Sequence, residues 1–160
     1  MKKILVLVLA LTVMLLSACA GQPEAENKHY EMDERADTAF FEYEVVAASA
    51  HSVYNGVHAR PEYRLVVVDL TIENTEEYTL PMSRYDFRLQ WGAGAEEYVY
   101  PLACYCTSQL PDEYDIPQGE ELRGELIFQV PEKIQDMALG YLEIFEDEHQ
   151  GDAHFIYFTV

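Results

Sequence analysis

Basic residues are scarce in this chain. It carries 10 Lys and Arg against 29 Asp and Glu, a net charge of −19 over 160 residues. So acidic a chain repels nucleic acid and anionic membrane surfaces, which excludes nucleic-acid binding. Catalytic motifs are missing. There is no Gly-x-Ser-x-Gly, no His-Glu-x-x-His and no glycine-rich phosphate loop. Acid pairs such as Glu120 and Glu121 are too common in this composition to mark a glycosidase. The chain therefore reads as non-enzymatic and implies no cofactor. Internal repeats and low-complexity tracts are absent as well. No apolar run reaches the roughly 20 residues that a membrane-spanning helix needs.

What is present begins at the N-terminus. Lys2 and Lys3 precede an apolar run from Ile4 to Leu16, 13 residues interrupted only by Thr12. Small residues then lead into a cysteine, in the order Leu16-Ser17-Ala18-Cys19. This is similar to a bacterial lipoprotein signal. The resemblance implies cleavage between Ala18 and Cys19, a lipid on Cys19, and an extracytoplasmic, membrane-anchored protein. Two or more acyl chains hold a protein firmly at a membrane. Ala20 follows the cysteine where an inner-membrane retention signal would place Asp.

Loss of residues 1–18 removes two lysines and no acid, which moves the charge from −19 to −21. The remaining length suits one domain with its own core. Glu24, Glu26, Glu31, Asp33, Glu34 and Asp37 crowd a segment with little apolar content. Residues 19–38 therefore read as a flexible acidic tether, with a coil span of about 25 Å. The folded domain is expected over 39–160.

From Phe40 onward the hydrophobic period is that of strands. Phe41, Tyr43, Val45 and Ala47 alternate with Glu42 and Glu44. A loop with Asn55-Gly56 and Pro61 follows. In Tyr63 to Asn74, Val66, Val68, Leu70 and Ile72 share one face, while Leu65 and Val67 predict cover on the other face at its start. Further strands are read at 87–91, 98–100, 122–130, 139–145 and 154–160. Residues 104–119 read as a long loop, and 133–137 as the one short helical candidate. About seven strands at such intervals predict an all-β, antiparallel sandwich.

Three stretches resemble one family. They are Val66-Val67-Val68-Asp69-Leu70-Thr71-Ile72-Glu73-Asn74, the segment Ser83 to Leu89, and Ile116-Pro117-Gln118-Gly119-Glu120 with the following Arg123 to Pro131. Together they are similar to the bacterial extracellular domain of unknown function 4352. The resemblance implies an immunoglobulin-like sandwich related to a secreted mycobacterial antigen, with no catalytic motif to carry over. Asn74 and Gly119 have structural readings, as a turn residue and a positive-φ residue.

Four groups of residues are candidates for function. Cys104 and Cys106 offer a strained disulfide, two free or buried thiols, or a soft-metal or redox site. Tyr98, Tyr100, Tyr105 and Tyr114 offer a recognition patch, since tyrosine joins a large apolar area to a hydroxyl. Asp147, His149, Asp152 and His154 lie in an acidic hairpin that could hold a divalent cation but matches no calcium or zinc pattern, and a solvated hairpin is the leading reading. Cys19 is the lipidation site. The leading expectation is a lipid-anchored binding module for a protein or envelope polymer. A metal-handling lipoprotein and an accessory subunit of an envelope complex are the alternatives.

Overall fold

The computed structural model describes residues 25–94 and 97–160. Cys19, the signal segment and the first part of the expected tether lie outside the described residues. Thirteen strands follow in order: β1 (Asn27–Glu31), β2 (Ala36–Asp37), β3 (Phe41–His51), β4 (Val53–Tyr54), β5 (Val57–His58), β6 (Tyr63–Asn74), β7 (Leu80–Ser83), β8 (Phe87–Gln90), β9 (Tyr98–Val99), β10 (Glu113–Ile116), β11 (Glu121–Pro131), β12 (Asp136–Ile144) and β13 (Gln150–Thr159). A single 3-10 turn, Arg84–Asp86, joins β7 to β8.

Two sheets face each other. One has the order β1-β13-β12-β8-β9 and the other β11-β6-β3-β2. Val66, Val68, Leu70 and Ile72 of β6 point into the space between them, with Phe41, Tyr43 and Val45 of β3 and Leu126, Phe128 and Val130 of β11. Phe87, Leu89, Met137, Leu139, Ile156 and Phe158 meet them from the other sheet. This is the expected β-sandwich. Leu65 and Val67 face outward into a second, smaller cluster with Ile127, covered by Tyr54, Val57, Leu102 and Tyr105. The break in alternation at the start of β6 thus has a physical partner.

The turns follow their chemistry. Asn55 and Gly56 both take positive φ, 49° and 84°, as a two-residue hairpin between β4 and β5 requires. Asn74 ends β6 fully buried, and its amide nitrogen donates to the carbonyls of Tyr78 and Ile116, each at 2.8 Å. Its side-chain oxygen accepts from Glu76 N at 2.9 Å. One side chain therefore ties the turn after β6 to the crossover before β11. Gly119, at φ 67°, lets that crossover fold back so that its N–H reaches Asn74 O.

The structure corrects three expectations. The domain starts at Asn27, well before residue 39. β1 pairs in parallel with β13 from Asn27↔Ala153 to Glu31↔Tyr157, and Ala36 and Thr38 are buried. A sheet-edge strand needs only a few inward residues, and here Tyr30 of β1 and Ala36 of β2 suffice amid the acids. The stretch 133–137 is no helix: Ile134 N closes a turn on Pro131 O at 3.1 Å, and β12 begins at Asp136. The loop 104–119 contains β10, paired with β7, because Ile116 has a place in the core.

Candidate functional site

Tyr98 and Tyr100 come together at the β9 edge, joined by Tyr85, which the sequence reading did not single out. Ring centroids lie 5.8 Å apart for Tyr98–Tyr100 and 5.6 Å for Tyr85–Tyr100, both edge to face. All three stay open to solvent, at 38% (Tyr98), 42% (Tyr100) and 56% (Tyr85). Local structure fixes them. Ser83 caps the 3-10 turn, and Asp86 returns a carboxylate bond to Ser83 N, which presents Tyr85 outward. Arg84 donates to Pro101 O at 2.8 Å and draws the Tyr100 segment onto the turn. The Arg88 guanidinium lies 5.4 Å from the Tyr98 ring centre.

The other two candidate tyrosines lie elsewhere. Tyr105 packs over the Leu65, Val67 and Ile127 cluster, and its hydroxyl donates to Tyr54 O at 3.4 Å. Tyr114 sits largely inside, against the main core, and its hydroxyl is buried without a hydrogen-bond partner among the described residues. It lines a cleft of about 440 Å³ together with Asp86, Glu113 and Asp115. A second cleft, of about 370 Å³, shares Pro81, Met82 and Asp86 with the first and continues to Tyr141 and Phe145. Burial and then the nearby Asp86 carboxylate push the Tyr114 and Tyr141 hydroxyls well above their usual range. Burial likewise pushes the Asp86 carboxyl up, against the opposing bonds from Ser83.

Cys104 and Cys106 are free thiols, so the structure shows no bridge between them. In an extended stretch, residues two apart sit near the upper limit for bridging. Here the Cys104 sulfur turns instead onto the Cys106 carbonyl at 3.5 Å. Burial raises the Cys106 thiol, but hydrogen bonds from Ser108, Asn55 and the Gln109 and Ser108 backbones outweigh it. The thiol is left below its ordinary value.

The acidic hairpin divides into two parts. Asp147 and His149 pair with each other at the exposed tip, where the His149 ring holds the carboxyl below the usual range. Asp152 and His154 turn inward and meet Glu143, their ligand atoms all within 4.8 Å of one another. Glu143 is the residue the sequence reading missed: it sits across the hairpin on β12, and only the β12–β13 register brings it there. The donors and acceptors of this cluster are already engaged. Glu143 accepts from Ala39 N at 2.8 Å, Asp152 N at 2.9 Å and the His154 ring at 3.0 Å. Lys28 holds Asp152 at 2.7 Å, and Tyr30 meets the other His154 nitrogen at 3.2 Å. An ammonium at Asp152 opposes a metal cation there, so the arrangement works as a clamp on β1.

These features define a small all-β sandwich domain with an aromatic edge and a cleft beside it. By sequence the chain belongs to the DUF4352 family, a domain of unknown function, whose profile matches residues 30–150. Solved structures share the fold at low identity. The protein ycdA of Bacillus subtilis, described as a candidate lipoprotein, superposes with a TM-score of 0.61 at 16% identity, over 81% of this chain and 38% of its own. This chain thus spans well under half the length of ycdA. The secreted protein MPT63 of Mycobacterium tuberculosis gives 0.56 at 11% identity, over 82% of this chain and 99% of its own. An uncharacterised β-sandwich protein of Clostridium difficile gives 0.52 at 13%, over 86% of this chain and 98% of its own. A search of curated proteins finds no match.

Proposed function

We propose that this protein is a lipid-anchored, extracytoplasmic interaction module that holds a protein or envelope polymer through the Tyr85–Tyr98–Tyr100 edge. One observation carries the reading. Three tyrosine rings pack on one another at a sheet edge while each stays more than a third exposed. Rings stacked only for stability lose that exposure, and rigid aromatic anchors dominate recognition surfaces. The Leu16-Ser17-Ala18-Cys19 box supports the anchor. The fold likeness to a candidate lipoprotein and to a secreted protein agrees with an extracytoplasmic site.

Capture from solubilised envelope with the full chain as bait tests the reading. Tyr98→Ala and Tyr100→Ala each weaken the captured partner by more than about 1 kcal/mol if they are anchors. Undiminished capture by the double variant rejects this edge. Cys19→Ala separates location from binding: it abolishes the lipid-sized mass increment and membrane sedimentation. A wild-type chain without that increment rejects the anchor.

A further inference from the structure

The twin cleft beside β7 lies next to the tyrosine edge but uses different residues, and its lining is one-sided in charge. Phe40, Tyr78, Tyr141 and Phe145 line its more apolar half, with Asp86 and Glu146. Tyr114, Glu113 and Asp115 line the other half, where Asp86 recurs. Among the described lining residues of both halves none is Lys or Arg. Four carboxylates and six aromatic rings therefore line two adjoining clefts that share Pro81, Met82 and Asp86.

Phe40, Tyr114 and Tyr141 back onto the main core, but core packing does not account for the rest of this lining. Tyr78 is 52% exposed, so it caps no core. Phe40 and Phe145 meet at 5.1 Å with their rings tilted, and the half-buried Phe145 also stacks on the part-exposed His149 at 4.2 Å, so this wall lies at the surface. Glu113, Asp115 and Glu146 make no ion pair among the described residues. Asp86 binds Ser83 N through one oxygen at 2.6 Å. The Tyr114 hydroxyl is buried without a partner among the described residues. Aromatic faces are negative, and a cation over them is attracted electrostatically. Carboxylates at the rim add to that attraction, while an anion is repelled. A bare metal ion suits the site poorly, because the walls between the carboxylates are apolar rings and Met82.

We propose that this cleft binds a small organic cation: an alkylated or quaternary ammonium group on a short apolar body. The rings take the methylated head, and Asp86 and Glu146 take its charge. The ligand need not be the partner held by the tyrosine edge.

Calorimetric titration of the full chain in neutral detergent tests this, with choline as the ammonium probe and 3,3-dimethylbutan-1-ol as its uncharged isostere. Choline binds at least about tenfold more tightly than the isostere, as desolvated cation–ring and cation–carboxylate contacts require. Glu146→Gln and Asp115→Asn, both at exposed positions, each weaken choline about threefold or more and leave the melting curve unchanged. Tyr78→Leu keeps the apolar bulk and removes the ring, and it also weakens choline. Glu132→Gln, outside the cleft, has no effect. Phosphocholine separates a free cation from a lipid headgroup: a free-cation site binds it more weakly because its phosphate meets Glu113 and Asp115, whereas parity assigns the ammonium to a headgroup. Equal binding of choline and the isostere overturns the proposal, as does absence of choline binding up to about 10 mM. Tyr98→Ala leaves choline binding intact, so failure of the edge and failure of the cleft are read separately.

Discussion

The His154 ring nitrogen Nε2 lies 3.0 Å from Glu143 Oε1, with His154 fully buried and Glu143 nearly so. The pair sits under β1 and is the inner end of a chain of contacts that reaches the N-terminal strand through Tyr30 and Lys28. Glu143 also carries two backbone N–H groups, from Ala39 and Asp152. Removing its carboxyl strands all three donors. Glu143→Ala is expected to cost about 3 kcal/mol or more, as loss of one partner from a buried pair does. Glu143→Gln keeps an acceptor and costs less. Chemical denaturation of both variants checks the order; equal stabilities would show that the network carries no weight.

Asp152 makes the clamp sensitive to acid. The Lys28 ammonium and Glu26 N–H hold its carboxyl below the usual range. A depressed folded-state value gives stability that is present above the ordinary carboxylate range and is lost as pH falls through the lowered value. Asp152→Asn is therefore less stable than wild type at neutral pH, and the gap closes as the solution is acidified below pH ~4. Denaturation midpoints of the two proteins across that range measure it. A gap independent of pH would assign the loss to packing.

Val68 is fully buried between the sheets. Val68→Asp places a carboxylate there with no cation in reach, and is expected to cost about 4 kcal/mol or more. Thermal melting checks this. An unchanged midpoint would contradict the facing of β6.

Asn74 offers a subtler test. Asn74→Ala leaves Tyr78 O, Ile116 O and Glu76 N without their partners, for a loss of about 2 kcal/mol or more. Asn74→Asp retains the acceptor and loses both donations, so it does not rescue. Both are read by urea denaturation.

In a Cys104→Ser background, the rate of Cys106 alkylation by iodoacetamide rises with pH around a midpoint below that of an unperturbed cysteine thiol. Asn55→Ala and Ser108→Ala each move the midpoint upward, because each removes a bond that favours the thiolate. A midpoint at or above the free value would mean that burial prevails.

Much of the sandwich is legible in the chain because the apolar period is strong where strands are buried on one face. Val66, Val68, Leu70 and Ile72 have no other sensible arrangement, and the exceptions Leu65 and Val67 announce the second cluster. Asn74 and Gly119 are legible from turn chemistry alone. β1 is not. Its inward residues are sparse among charges, and it is held by a clamp whose key member lies over a hundred positions away. Sites show the same divide. Tyr98 and Tyr100 are neighbours in sequence and in space. Tyr85 joins them only because Arg84 captures Pro101 O, and Tyr114 leaves them because β10 pairs with β7. Proximity that depends on register between distant strands leaves no local trace.

The early start of β1 has a mechanical consequence. Strand Asn27–Glu31 runs parallel to β13 and shares its register over five residue pairs. Force applied at the N-terminus along that strand is shared among all of those backbone bonds at once, in shear, with the Lys28–Asp152 and Tyr30–His154 contacts loaded beside them. A domain tugged from its leash in this way yields abruptly and late, where a hairpin peeled from one end would open rung by rung. Only a few residues separate Cys19 from this strand. If the proposed lipid on Cys19 and the proposed partner carry a load, it reaches the domain first at this N-terminal clamp.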